Sequence, residues 1–129
     1  MKSFSFEIPI YDIHVDLVQI EGKEDAKDVL RFMRSIKCAQ EDIDYILNCI
    51  EREQYNGGNT LRNFDLRRIL VIFTTFSDEE AREEVYAHEK RHIEDRVMQY
   101  VNVNDIESAG LLAGFLARKF YQFKKKVLC

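Results

Sequence analysis

Strands are predicted where apolar residues alternate with polar ones or form a short apolar run. A half-buried strand is expected to begin near Tyr11, after the possible bend at Pro9 and before the break at Gly22. Its apolar positions recur with period two, at Tyr11, Ile13, Val15 and Leu17. The run 69–73 is apolar on both faces, which is typical of a strand covered on both sides. A further short strand is predicted at 61–64, after the turn signal of residues 56–59, Asn-Gly-Gly-Asn.

Helical periodicity replaces alternation between residues 24 and 52. Two apolar stripes with helical spacing follow one another there: Val29, Leu30, Met33 and Ile36, then Ile43, Ile46, Leu47 and Ile50. The polar segment 40–42 between the stripes predicts two helices joined by a short turn, with one bent helix as the alternative.

Two more helices are predicted in the last third of the chain. Ser77, followed by three acidic residues, is a candidate N-cap for a helix that runs to about residue 100. A polar break at residues 102–105 precedes a last helix from about 106 toward 126. The order of elements predicts an α+β fold, with a short β-sheet packed on helices, in a single domain covering residues 1–129.

Composition narrows the classes of function. The net charge of −4 provides no electrostatic footprint for nucleic acid or anionic lipid, so neither is expected as a partner. Three cysteines without metal-ligand spacing indicate free thiols in a reducing compartment. No secretory signal and no apolar segment of membrane-spanning length is present, so we expect a cytoplasmic protein. The sequence does not predict an oligomeric state.

The strongest chemical signal is the motif H-E-x-x-H at residues 88–92. Residues four apart lie on the same face of a helix, so His88 and His92 can direct their imidazoles at one Zn²⁺ ion. Glu89, beside the metal, is suited to take a proton from water and pass it to a leaving amine. The alternative is a surface helix whose polar face carries two histidines by chance. Three further polar residues share that face: Glu84, Asp95 and Gln99.

A third zinc ligand is predicted on the last helix. Glu107 opens that helix, and a stripe of small residues beside it, including Gly110 and Gly114, predicts close packing against the histidine helix. Asp105 is the alternative ligand, whereas His14 has no motif around it and is interpreted as a strand-surface histidine.

Two residues further along the last helix are candidates for a catalytic role. Arg118 and Tyr121 follow the face of Glu107, and either could donate a hydrogen bond to an oxyanion developing on a substrate carbonyl. The alternative is that both are ordinary amphipathic side chains at a helix surface.

The segment His88-Glu89-Lys90-Arg91-His92, followed by Glu107, resembles the gluzincin class of zinc metallopeptidases. The wider pattern, with Asn56-Gly57-Gly58-Asn59 upstream, is similar to small, uncharacterised zincin-like proteins of phages and mobile elements. The resemblance implies a zincin-like domain in which His88, His92 and Glu107 bind zinc and Glu89 is the general base. Charged residues at positions 90 and 91 depart from the usual gluzincin pattern.

These observations lead to one expected function and one alternative. We expect a zinc-dependent hydrolase, a selective intracellular metallopeptidase that acts on a peptide or protein substrate. The alternative is a catalytically inactive zincin-like binding module of prophage or mobile-element origin.

Overall fold

The computed structural model describes residues 1–129, and its strands form one mixed sheet in the order β1-β2-β4-β3. The strands are β1 (Lys2–Ile8), β2 (Ile13–Gln19), β3 (Gly58–Asn63) and β4 (Arg68–Phe73). The central strands β2 and β4 are parallel, and each edge strand is antiparallel to its neighbour.

The predicted strand at 69–73 is confirmed as part of β4, and the one at 61–64 is confirmed for residues 61–63 of β3, which begins earlier at Gly58. The first predicted strand begins later than expected. Residues 9–12 form the turn between β1 and β2, with Ile10 and Asp12 at positive φ, so β2 starts at Ile13 instead of Tyr11. Gly58, which the sequence placed in a turn, opens β3.

Two helices pack on each face of the sheet. The first pair is α1 (Ala26–Ser35) and α2 (Gln40–Glu51), and the second pair is α3 (Glu79–Val101) and α4 (Ile106–Leu128). The prediction of two helices between residues 24 and 52 is confirmed, although their turn lies at residues 36–39 and residues 40–42 open α2. No helix combines the length and the apolar character needed to cross a membrane.

Side-chain oxygens of aspartates cap both long helices. Asp78 Oδ1 accepts a hydrogen bond from the Ala81 amide at 2.7 Å, so the N-cap of α3 is Asp78 and not Ser77. Asp105 caps α4 in the same way, with Ser108 as the donor at 2.7 Å.

Strand β4 separates two apolar cores. Ile69, Val71 and Phe73 face α3 and α4, whereas Leu70 and Ile72 face α1 and α2. All five side chains are fully or almost fully buried, which explains why this segment lacks the alternation of a half-exposed strand. The architecture is therefore α+β, with a four-stranded sheet between two helical layers.

One polar cluster interrupts the face of the sheet that α1 and α2 cover. Asp16 is buried on β2 and accepts hydrogen bonds from Arg68 at 2.9 Å and from His14 at 3.0 Å. The ring of His14 also contacts Glu7, so both ring nitrogens of this strand-surface histidine are paired with carboxylates. Burial alone would raise the pKa of Asp16, but its hydrogen bonds outweigh that effect and hold the pKa below its usual value.

Large apolar side chains of α4 form its buried face. Four of them contribute to the core: Leu112, Leu116, Phe120 and Phe123. Gly110 and Gly114 lie on the exposed side, where an added Cβ would meet no atom within 4 Å. The prediction that these glycines mediate the contact with α3 is therefore wrong. The large side chains bury more apolar surface than a stripe of glycine and alanine could, and this sets the rotation of α4.

Gly114 therefore lowers helix stability without a compensating contact. Replacing it with alanine should raise the free energy of unfolding by about 1 kcal/mol, because alanine is the better helix former and the new methyl group meets open space. Urea denaturation monitored by circular dichroism measures this change. A loss of stability would show that a neighbour does pack against Gly114.

Candidate metal centre

The buried stripe of α3 includes an acidic side chain. Glu89 is only 3% exposed and lies among residues that face the sheet: Arg82, Tyr86, Ile93 and Val97. His88 is exposed and His92 is half-buried on the adjoining side of the helix. The motif therefore lies at the boundary between the sheet-facing side of α3 and solvent. Glu89 is thus the buried member of the motif, whereas His88 is its exposed member.

The two imidazoles converge on one point. The Nε2 atoms of His88 and His92 are 3.0 Å apart, and their rings are nearly perpendicular with centroids 4.5 Å apart. Zinc–nitrogen bonds of about 2.0–2.1 Å in a tetrahedral site place two nitrogens about 3.3 Å apart. The spacing in the structure is close to that value, so a small rotation of the rings would accommodate one ion.

Glu89 reaches this position because β3 carries a glycine opposite it. A Cβ added at Gly58 would lie 2.8 Å from Glu89 Cγ and 2.9 Å from Val85 Cγ1. Both distances are too short for any side chain at position 58. The close approach of α3 to β3 therefore depends on the missing side chain of Gly58.

The carboxylate of Glu89 is not fully satisfied. Its Oε2 atom and the Thr60 hydroxyl are both buried, and neither makes a hydrogen bond of good geometry, although Thr60 is close enough to stabilise the charged carboxylate. Burial raises the pKa of Glu89 above its usual value, while His92, His88 and to a lesser degree Thr60 oppose the shift. A buried carboxylate oxygen without a partner is costly, and a cation at this point would remove the cost.

Three donor groups of the type that binds zinc thus lie together. One donor atom from each of His88, Glu89 and His92 is within 4.8 Å of the other two. Two imidazoles and a carboxylate form a donor set that suits zinc. The residues present therefore fit the ion that the motif predicts.

The residues considered as a third ligand lie elsewhere. Glu107 is exposed in the first turn of α4 and does not belong to the cluster, and Asp105 is the N-cap of that helix. Hydrogen bonds from Ser108 hold the pKa of Asp105 below its usual value, so this carboxylate already has a structural role.

The orientation of α3 explains why α4 does not reach the histidines. Lys90 points to α4, where its Nζ lies 3.4 Å from the Ala113 carbonyl oxygen. His88 and His92 are each two residues from Lys90, which places them about 200° around the helix axis from it. Arg118 and Tyr121 on α4 are exposed, and Tyr121 lies beneath Lys124 and Lys125. The structure does not bring either residue to the histidine pair.

The charged residues at the two x positions of the motif have their own partners. Lys90 pairs with Glu94 at 2.9 Å, and Arg91 pairs with Asp95 at 3.2 Å, each one helical turn away. Both cations of the motif are thus paired with carboxylates on their own helix.

Gly58 and Thr60 are the site residues that sequence reasoning missed. Both lie on β3 and approach Glu89, but the Asn-Gly-Gly-Asn segment resembles an ordinary turn. The second glycine, placed shortly before the predicted strand at 61–64, is the signal in the sequence that could have placed a close contact there. Comparison of the chain with protein-family models, curated proteins and solved structures finds no match.

A methyl group at position 58 should disturb the site directly. Gly58→Ala should lower the free energy of unfolding by about 1–3 kcal/mol, because Glu89 and Val85 must move away from β3. Urea denaturation measures the loss, and Gly114→Ala is the matched control because its methyl group meets open space. Equal stability of Gly58→Ala and the native protein would contradict the close contact.

Proposed function

We propose that this chain is a zinc-dependent hydrolase with a zincin-like arrangement of its motif, most simply a selective metallopeptidase. The observation that carries the proposal is the buried Glu89 carboxylate, with one oxygen unpartnered, beside two imidazoles whose Nε2 atoms converge. A purely structural site would not need an acid held at this cost next to its histidines.

In this proposal His88 and His92 hold the zinc ion. When bound, zinc supplies a Lewis acid that lowers the pKa of water and polarises a carbonyl group.

Glu89 is proposed to transfer the proton. Burial raises the pKa of Glu89 above its usual value, which makes the carboxylate a stronger proton acceptor. Gly58 lies against its Cγ, which limits the directions that the carboxylate can take. In this role the Glu89 carboxylate would take a proton from the attacking water and give it to the leaving amine.

A peptide is the substrate class that the surroundings favour. Strand β3 is an edge strand, so alternate backbone amides and carbonyls along its free side have no partner in the sheet. An extended peptide can pair with such an edge, and Gly58 places this edge beside Glu89. Recognition through one strand edge suits a selective enzyme better than a general protease.

A second candidate is a catalytically inactive zincin-like binding module, of prophage or mobile-element origin. The position of Glu107 favours it, because an exposed residue outside the donor cluster leaves His88 and His92 without the downstream glutamate of the gluzincins. A peptide could still bind the edge of β3 without being cleaved.

Zinc content tests the metal site. Protein purified without chelators and supplemented with zinc should bind one ion per chain, and His88→Ala or His92→Ala should abolish binding. We expect Glu107→Gln to retain zinc, because Glu107 lies outside the donor cluster. Native protein that stays free of zinc after supplementation would refute the metal site. Loss of zinc in Glu107→Gln would instead show that α4 supplies the third ligand.

Glu89→Gln separates proton transfer from metal binding. This variant should keep its zinc and lose about 10²–10⁴-fold in the rate of cleaving a peptide identified in a broad substrate screen. Glu51→Gln, which changes an exposed acid at the end of α2, is the control and should keep full activity. Loss of zinc in Glu89→Gln would make Glu89 a ligand, and absence of cleavage by zinc-loaded native protein would favour the binding module.

A further inference from the structure

One face of α4 has no partner within the chain. Its residues recur at helical spacing over about four turns and lie within an arc of about 120° around the axis. All seven are exposed: Glu107, Gly110, Leu111, Gly114, Ala117, Arg118 and Tyr121. We refer to these residues as the α4 face. It contains every α4 residue for which the sequence predicted a role near the histidines, and the structure brings none of them there.

The composition of the α4 face is unusual for a surface that only water covers. Leu111 and Tyr121 expose 70% and 58% of their surface, although both side chains are large. Gly110 and Gly114 lie inside a 23-residue helix with open space at their Cβ positions, and each costs about 1 kcal/mol relative to alanine. Nothing within one chain offsets this cost. A second helix could do so, because a missing side chain lets two helix axes approach closely.

The positions of the α4 face are arranged symmetrically about Gly114. Positions 111 and 117 are three residues from it, 110 and 118 are four, and 107 and 121 are seven. A two-fold axis through Gly114 therefore places each position opposite its counterpart on an antiparallel second copy. A two-fold interface uses the same surface on both partners, so the side chains at paired positions must be complementary to each other.

The side chains at the paired positions are complementary in size. Leu111 of one copy lies opposite Ala117 of the other, so a large side chain meets a small one on both sides of the axis. Gly114 meets its own counterpart at the crossing point, where the helices come closest. Gly110 lies opposite Arg118, whose aliphatic stem can cover the glycine while its charge reaches past it.

The charges of the α4 face also match across the two-fold axis. Glu107 is its only acid and Arg118 its only base, and both are free within the chain, since the ion pair of α4 joins Lys124 to Glu83. In the antiparallel arrangement Glu107 of each copy lies within one helical turn of Arg118 of the other, about 10 Å or less from the crossing point along the axis. The face is thus neutral in a chain of net charge −4, so two such faces can approach without repulsion.

We propose that the chain forms a two-fold homodimer in which the α4 faces of two copies pack antiparallel and cross at Gly114. A contact between single helices is smaller than a standard protein interface, so the dimer is weak and dissociates on dilution. In dilute protein, where the chain is monomeric, Gly114→Ala keeps the effect described above.

The dimer leaves the candidate metal centre accessible. Lys90 marks the side of α3 that packs on α4, and the histidines lie about 200° around the axis from it. Dimerisation is therefore independent of zinc, and the proposal does not rest on the proposed function.

Sedimentation equilibrium over micromolar to millimolar concentrations tests for the dimer. The native protein should show a monomer–dimer equilibrium that a zinc chelator does not change. Arg118→Glu makes both Glu107–Arg118 contacts repulsive and should weaken dimerisation about tenfold or more. The double variant Glu107→Arg/Arg118→Glu exchanges the two charges and should restore it. Arg34→Glu, which reverses an exposed cation on α1, is the matched control and should dimerise as the native protein does.

Disulfide cross-linking tests the crossing point, in a Cys129→Ser background that removes the exposed native thiol. Gly114→Cys places two thiols at the two-fold axis and should give a covalent dimer on mild oxidation. Gly110→Cys is the matched control, because it also replaces an exposed glycine with open space around it. Its two copies would lie about 12 Å apart along the helices, too far for a disulfide.

Three results would overturn the proposal. Native protein that stays monomeric at millimolar concentration would mean that a different protein covers the α4 face. A dimer that is insensitive to Arg118→Glu, or a double variant that circular dichroism shows to be folded but that stays monomeric, would place the interface elsewhere. Cross-linking of Gly110→Cys as efficient as that of Gly114→Cys would exclude a crossing at Gly114.

Discussion

The close approach of α3 to the edge strand β3 is the contact on which the candidate site depends. It is possible because Gly58 has no side chain, which leaves room for Glu89 Cγ and Val85 Cγ1 at distances that no Cβ permits. The contact buries a carboxylate that would otherwise lie in solvent, and it brings a free strand edge beside that carboxylate. The position of one glycine therefore determines the chemical environment of Glu89 and the surface that a substrate would meet.

Helix α3 has two roles: it covers one face of the sheet, and it carries the charged groups of the candidate site. Its buried stripe contains apolar residues such as Ile93, which anchor it, but also Arg82 and Glu89, which are charged and incompletely satisfied. The acid lies beside the histidine pair, and the arginine lies nearer the carboxyl ends of the parallel strands. Each buried charge has a free energy cost that apolar packing elsewhere along the stripe must offset.

The periodicity of apolar residues along the chain predicted most of the helices and strands, because that periodicity reflects which side of each element is buried. The run 69–73 and the stripes of α1 and α2 are apolar where the structure buries them, so their identity could be deduced from the sequence. The rotation of α4 could not be deduced in this way. A stripe of small residues and a stripe of large ones compete for the same contact, and the greater apolar area of the large side chains prevails. Helix geometry was enough to predict that His88 and His92 lie together. The prediction of Glu107 as a third ligand depended on the rotation of α4, which the sequence did not determine.

The parallel pairing of β2 and β4 has a consequence for how the chain folds. Asp16 and Arg68, which form an ion pair across this pairing, are 52 positions apart, and α1, α2 and β3 lie between them. The central ladder can therefore form only after a long segment of chain has closed into a loop, which is entropically costly and slow. Local contacts between α3 and α4 face no such barrier. The helical hairpin that carries the histidine pair can form before the sheet against which Glu89 is buried.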